Sequence, residues 1–407
     1  MFLNRQCGAV VFACLCALSS TASASDWYVD AVNGSDANNG SSPSTAWRTI
    51  THAVGNVPLG AVETINIAAG TYNQALGESF PIVMKPGQQI IGAAGEPRPV
   101  VTANGVSGTR LFSFESTSTQ PLQFGADTRL EHLELRRATL GVDIVAQAGE
   151  VSPTFSDLRI ERMNHCGVSI QGAGGGCEVT LERVHIGATA LTVLSCGIIA
   201  IGSAAPGVTL RGSDCVFADA GGVGVLLEGQ ADAHFQRCKF DGLAREALYV
   251  ETPAGQTVRI ACVDSSITYC LSALMAATGQ GHFDADFTRC TLASNANSLF
   301  VFGSEPGGSV DLSFDTSVVV TDGTLLYWNV NANIEANRSL ISDGSFDGIN
   351  GCFSGDPGFR NGPEGDFRLR WDSPCVDAAF VDAPAGTRDV VGAPRDLDGN
   401  LDTLGKT

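Results

Sequence analysis

The chain has 407 residues, 48 of them Gly, with 16% charged residues and a formal net charge of −19. That balance excludes a nucleic-acid partner, whose phosphates need a basic surface, and argues against tight binding of polyanionic sugars unless a basic patch is local. Lys, Glu and Gln are sparse while Val, Ile, Thr, Ser, Gly and Phe abound, which favours strands and turns over helices.

Arg5, the apolar run Gly8 to Leu18 and the small residues Ala22-Ser23-Ala24 read as a secretory signal over 1–24. The expectation is an exported chain beginning at Ser25, soluble, monomeric, and secreted, periplasmic or at the cell surface. The apolar run is too short to span a bilayer, and no later segment approaches a membrane span. Lipidation at Cys14 is disfavoured by Phe12, which stands where a small residue is expected. Losing Cys7, Cys14 and Cys16 leaves ten of thirteen cysteines, an even number that permits disulfides.

Residues 25–127 are read as an N-terminal cap with the first turns of a solenoid. They open on Trp27-Tyr28-Val29-Asp30 and the turn-rich stretch Asn33 to Gly40. Thr49 to Val54 is predicted as a short helix closing an open end. Strands are predicted at Glu63 to Ile67 and Gln88 to Ile91.

From 128 to 342 a position recurs about every 26 residues with alternating sign: His132, Asp157, Arg183, Asp214, Arg237, Asp264, Arg289 and Asp315. Three residues after each stands an apolar side chain: Leu135, Ile160, Ile186, Phe217, Phe240, Ile267, Leu292 and Val318. Two before come Leu130, Phe155, Leu181, Phe235 and Phe287. The apolar parity switches across the charged column, which places a corner between two parallel sheets there. Strands stacked about 4.8 Å apart bring each Asp beside an Arg of the next turn. Asn337 is read as opening one more turn. The fold expected is all-β, a single right-handed parallel β-helix of about ten turns. Cys215, Cys238 and Cys290 follow the column by one residue and are expected as buried thiols. Cys166 and Cys196 open equivalent runs in consecutive turns, where a cross-link is open. His165 beside Cys166 reads as a turn residue, not a nucleophile pair, since strand neighbours face opposite ways.

Two residues after the column, the outward file is Glu134, Arg159, His185, Val216, Lys239, Ser266, Thr291, Ser317. Four after, it is Arg136, Glu161, Gly187, Ala218, Asp241, Thr268, Ala293, Val319. Glu134, Arg159, Glu161 and His185 are candidate binding residues for a polymer laid along the solenoid. The plainer reading is a set of cross-strand ion pairs, Glu134 with Arg159 and Arg136 with Glu161. A lyase needs a base and a cation near the sugar carboxylate, and Lys239, Asp241, Arg245 and Glu246 lie together on one turn. A hydrolase needs two opposed carboxylates, for which Asp241 with Glu246, or Asp284 with Asp286, are the candidates.

Residues 343–407 form a loop-rich capping region, in which Cys352 and Cys375 are paired as the expected disulfide. Asp396, Asp398, Asn400 and Asp402 alternate as calcium ligands do, although the Gly is misplaced and no bidentate Glu follows, so an Asx-rich turn competes. Asp30, Asn33, Asp36 and Asn38 carry the same two readings. Ca2+ is the one cofactor suggested.

Tyr28-Val29-Asp30, Asn33-Gly34-Ser35-Asp36, Trp47-Arg48-Thr49-Ile50 and Gly70-Thr71-Tyr72 resemble the N-terminal segment of bacterial right-handed parallel β-helix, pectin-lyase-like proteins. Within these, Gly77-Glu78-Ser79-Phe80-Pro81-Ile82 and Pro86-Gly87-Gln88-Gln89-Ile90-Ile91-Gly92 resemble the continuation of a domain family of unknown function. Asp356-Pro357-Gly358-Phe359 and Ser373-Pro374-Cys375-Val376-Asp377-Ala378 resemble the ends of secreted β-helix proteins. The resemblance implies architecture, because fold alone does not set function. Function is expected as non-catalytic binding of an extracellular glycan at a surface or matrix. The alternative is a polysaccharide lyase or glycoside hydrolase.

Overall fold

The computed structural model describes residues 25–376 apart from 96, 188–194, 204, 219, 304–306, 322–325 and 329–330, with 378, 388, 389 and 392 beyond them. The expected signal segment 1–24 and the calcium candidates Asp396, Asp398, Asn400 and Asp402 lie outside the described residues.

The chain is a right-handed parallel β-helix. Among the described residues its strands stack in three parallel sheets of twelve, eleven and ten strands, here the wide, narrow and third sheets. One turn runs through Cys177–Glu182 in the wide sheet, His185–Gly187 in the narrow sheet and Cys196–Gly202 in the third. The chain then returns to the wide sheet at Val208–Ser213. Val, Ile and Phe at alternate positions fill the interior, so each turn buries its apolar side chains against those of its neighbours. Phe217 stacks on Phe240 with ring centroids 4.6 Å apart, and Phe287 on Phe314 at 5.4 Å. Burying each such side chain contributes about 1.5–3 kcal/mol.

The corner after the wide sheet needs a left-handed residue. His132, Asp157, Arg183, Asp214, Arg237, Asp264 and Arg289 take φ between +49° and +55° there. The last turns shift by one residue. Asp315 lies opposite Thr288, so Thr316 follows Arg289 at the corner, with φ +54°, and Arg338 takes the next place instead of Asn337. In consequence Val319, not Val318, is buried beside Leu292, and Ser317 points inward.

The N-terminal helix is Ile50–Asn56, with the Thr49 side chain accepting from His52 N. The buried Glu78 carboxylate accepts from Ile50 N at 2.6 Å and Thr51 N at 2.9 Å, satisfying the free amides of the first turn. Predicted strands appear as Glu63–Ile67 and Gln88–Gly92.

At the other end a hairpin, Phe359–Asn361 with Asp366–Leu369, folds back onto the solenoid. Tyr269 donates its hydroxyl to Gly362 O, and its ring lies 5.5 Å from that of Phe367. Cys352 and Cys375, expected as a disulfide, are separate thiols. The bridge joins Cys166 to Cys196 instead, because those two are direct cross-strand partners in the third sheet.

Candidate functional site

Lys239 Nζ lies 3.0 Å from Asp241 Oδ2, and Thr268 Oγ1 donates to Asp241 Oδ1 at 2.8 Å. The ammonium is therefore engaged by a carboxylate on its own strand. Arg245 and Glu246 pair at 3.2 Å, but Glu246 is buried at the start of the third-sheet strand Glu246–Thr252, around the next corner. The turn thus divides the four candidates into two internally matched pairs.

The early narrow-sheet residues are matched along their strands. Arg136 donates to Glu134 at 2.8 Å and Arg159 to Glu161 at 2.5 Å, replacing the expected pairs across the strands. Residues two apart share a face, and these long side chains lie along it. His185 follows Arg159 in register. The loss of charge after Asp241 goes with burial. Ser266, Thr268 and Ala293 occupy outward positions yet are buried, on turns where the C-terminal hairpin docks at Tyr269.

The polar side chains of the N-terminal turn are engaged within the turn and its flanks. Asp30 accepts from Val32 N and Asn33 N, Asp36 from Arg48 N and Thr49 N, and Asn38 donates to Ala46 O. This is turn chemistry in place of a calcium loop. Cys166, held in its disulfide, is no nucleophile.

The wide sheet presents a different face. Its outward residues form straight files, Asp232–Arg259–Asp284–Asp311–Asn333 and His234–Ala261–Asp286–Ser313–Glu335, in cross-strand register. Arg259 Nη1 lies 3.4 Å from Asp232. His282 contacts Ser309 Oγ at 2.9 Å through Nδ1 and Asp311 at 3.6 Å through Nε2. Ser313 donates to Asp286. Burial pushes the Asp284 carboxyl above its usual range, and the carboxylates of Asp286 and Asp311 add to the effect against His282 and Arg259. Asp284 and Asp286 are two residues apart on one strand, so their Cα atoms are about 6.6 Å apart. Their side chains therefore stand side by side on the outward face.

Asp284 and Asp286 were legible as a pair of acids, but their company was not. Arg259 and Asp311 stand five residues before the corner and His282 seven before it, on the same outward parity as Asp284 and Asp286. The outward files two and four after the corner lead to the narrow sheet only.

Residues 32–127 match the family described as "Protein of unknown function (DUF1565)". No curated protein matches the sequence. The fold resembles a structure titled pectate lyase Pel9A, with 14% identity over 93% of this chain and 97% of that one and a TM-score of 0.62. A rhamnogalacturonan lyase is similar at 13% identity, covering 92% of this chain and 95% of its own, with a TM-score of 0.54. A structure titled glycoside hydrolase is 9% identical over 77% of this chain and 96% of its own, also with a TM-score of 0.54. At these identities the likeness is one of fold.

Proposed function

We propose that this chain is an exported β-helix protein that binds an extracellular polysaccharide along the outward files of its wide sheet. The observation that carries the reading is the register of Asp232, Arg259, Asp284 and Asp311. These hydrogen-bonding groups repeat at about 4.8 Å on a rigid face. A polymer of sugars presents hydroxyls in a similarly regular row, and groups fixed on strands lose little freedom when they bind it. The fold shared with proteins titled as lyases and a glycoside hydrolase supports a polysaccharide as partner.

One observation favours catalysis as a second reading. Asp284, with its raised pKa, has the character of an acid that donates a proton, and Asp286 stands on the same outward face to assist as base. A lyase centred on Lys239 is less favoured, because its ammonium is paired with Asp241.

Affinity electrophoresis against a panel of polysaccharides, with Arg259→Ala and Asp284→Asn beside the native chain, tests the binding reading. Retarded migration that both substitutions weaken supports it. Release of reducing ends lost in Asp284→Asn replaces it with the hydrolase, and unsaturated products lost in Lys239→Ala replace it with the lyase.

A further inference from the structure

We infer that Arg137 and Arg162 form an oxyanion site at the corner between the narrow and third sheets, fitted to the carboxylates or sulfates of an acidic polymer. Their neighbours Arg136 and Glu161 are cross-strand partners, so the two arginines follow one another on stacked turns. Both are exposed, and both take left-handed backbone, each with φ +56°.

The contrast with the other corner carries the argument. There Arg237, Arg289 and Arg338 are also left-handed, and each is matched by an aspartate one turn earlier: Asp214, Asp264 and Asp315. Arg137 and Arg162 have no acidic partner among the described residues, since Glu134 and Glu161 are taken by Arg136 and Arg159. Two like-charged arginines therefore stand on adjacent turns, in a conformation that arginine rarely adopts. The corner needs the left-handed backbone but not arginine. Gly242, Tyr269 and Ser294 occupy the same place on later turns, and Asn104 turns the preceding one in the same conformation.

The patch holds four arginines, Arg136, Arg137, Arg159 and Arg162, against two glutamates, on a chain whose net charge is −19. Planar guanidinium groups at strand spacing match oxyanions repeated along a polymer, each with two parallel donors. Asn104 adds an exposed amide on the adjacent turn. The site is separate from the wide face and does not depend on its reading.

The test is the full chain against the variant R137N/R162N. Asn tolerates left-handed backbone better than Arg and removes both like charges. The variant is therefore expected to melt at the same temperature as the native chain or higher. Binding is measured to polygalacturonate, dextran sulfate and neutral dextran. The native chain is expected to bind at least one acidic polymer and not dextran, with affinity falling as salt rises, and the variant to lose at least tenfold. Preference between the two acidic polymers identifies carboxylate or sulfate as the ligand. A native chain that ignores both, a variant that binds as well as native, or a variant that melts lower overturns the inference. The wide-face reading fails separately, through Arg259→Ala and Asp284→Asn.

Discussion

Arg237 donates from Nε and Nη2 to the two carboxylate oxygens of Asp214, both at 2.7 Å, across stacked turns. The side chains are 25% and 43% exposed, so solvent screens the pair and its contribution is of the order of 0.2–1 kcal/mol. Arg237→Asp sets three carboxylates, at 214, 237 and 264, in one row and adds repulsion to the lost attraction. Arg237→Ala loses attraction alone. Thermal stability should therefore fall in the order native, Ala, Asp, with the gaps narrowing in high salt. Equal melting of native and Arg237→Asp at low salt removes the ladder from the account.

Glu78 reaches the start of Ile50–Asn56 from 28 residues away in sequence. Removing it in Glu78→Ala leaves the buried amide of Ile50 and the half-buried amide of Thr51 without their acceptor, a loss of about 1–3 kcal/mol. Glu78→Gln keeps one acceptor and should cost less, as burial already pushes the carboxyl above its usual pKa. Chemical denaturation of the two variants measures the difference. A Gln variant weaker than Ala contradicts the capping role.

The bridge between Cys166 and Cys196 closes a sequence separation of 30. Cys166→Ala with Cys196→Ala should lower stability by about 3–4 kcal/mol through the freed unfolded chain. Peptide mapping without reduction should recover those two cysteines linked, and Cys352 and Cys375 as thiols. A Cys352–Cys375 peptide contradicts the assignment.

Two aspartates should respond to pH with opposite signs. Hydrogen bonds from Arg237 hold Asp214 below its ordinary 3.8, so its stabilisation is present above that value and is lost as pH falls through the lowered one. Burial and neighbouring carboxylates raise Asp284, so the folded state takes its proton more readily and stability declines as pH rises from 3.8 through the raised value. Asp284→Asn should then melt above native at neutral pH and converge with it in acid, while Asp214→Asn melts below native at neutral pH. Melting curves across that range decide both.

The solenoid was legible because each turn repeats the same local requirement. Phe217, Phe240 and Ile267 must point inward whatever lies elsewhere, and a period near 26 residues records that need directly. Once the strands stack in register, Asp214 must meet Arg237. Narrow-sheet parity was equally readable, from Glu134 through to Asp241. The one-residue shift at Thr316 was not, because Asp315 carries the expected charge and only its pairing with Thr288 shows it to stand before the corner.

What the sequence by itself determined is the repeat, the inward residues and the charged corner, all set by backbone geometry within a single turn. Tertiary structure alone decided which polar groups are consumed and which are left to act. Long side chains choose among several acids within reach, so Lys239 turned to Asp241 and Arg136 to Glu134, while Arg137 and Arg162 have no acid partner among the described residues. The hairpin docked at Tyr269, on turns where Ser266 and Thr268 are buried, and the wide sheet still presents Arg259, Asp284 and Asp311 at its outer face. Those outcomes depend on contacts between residues far apart in the chain, where no local period carries the information.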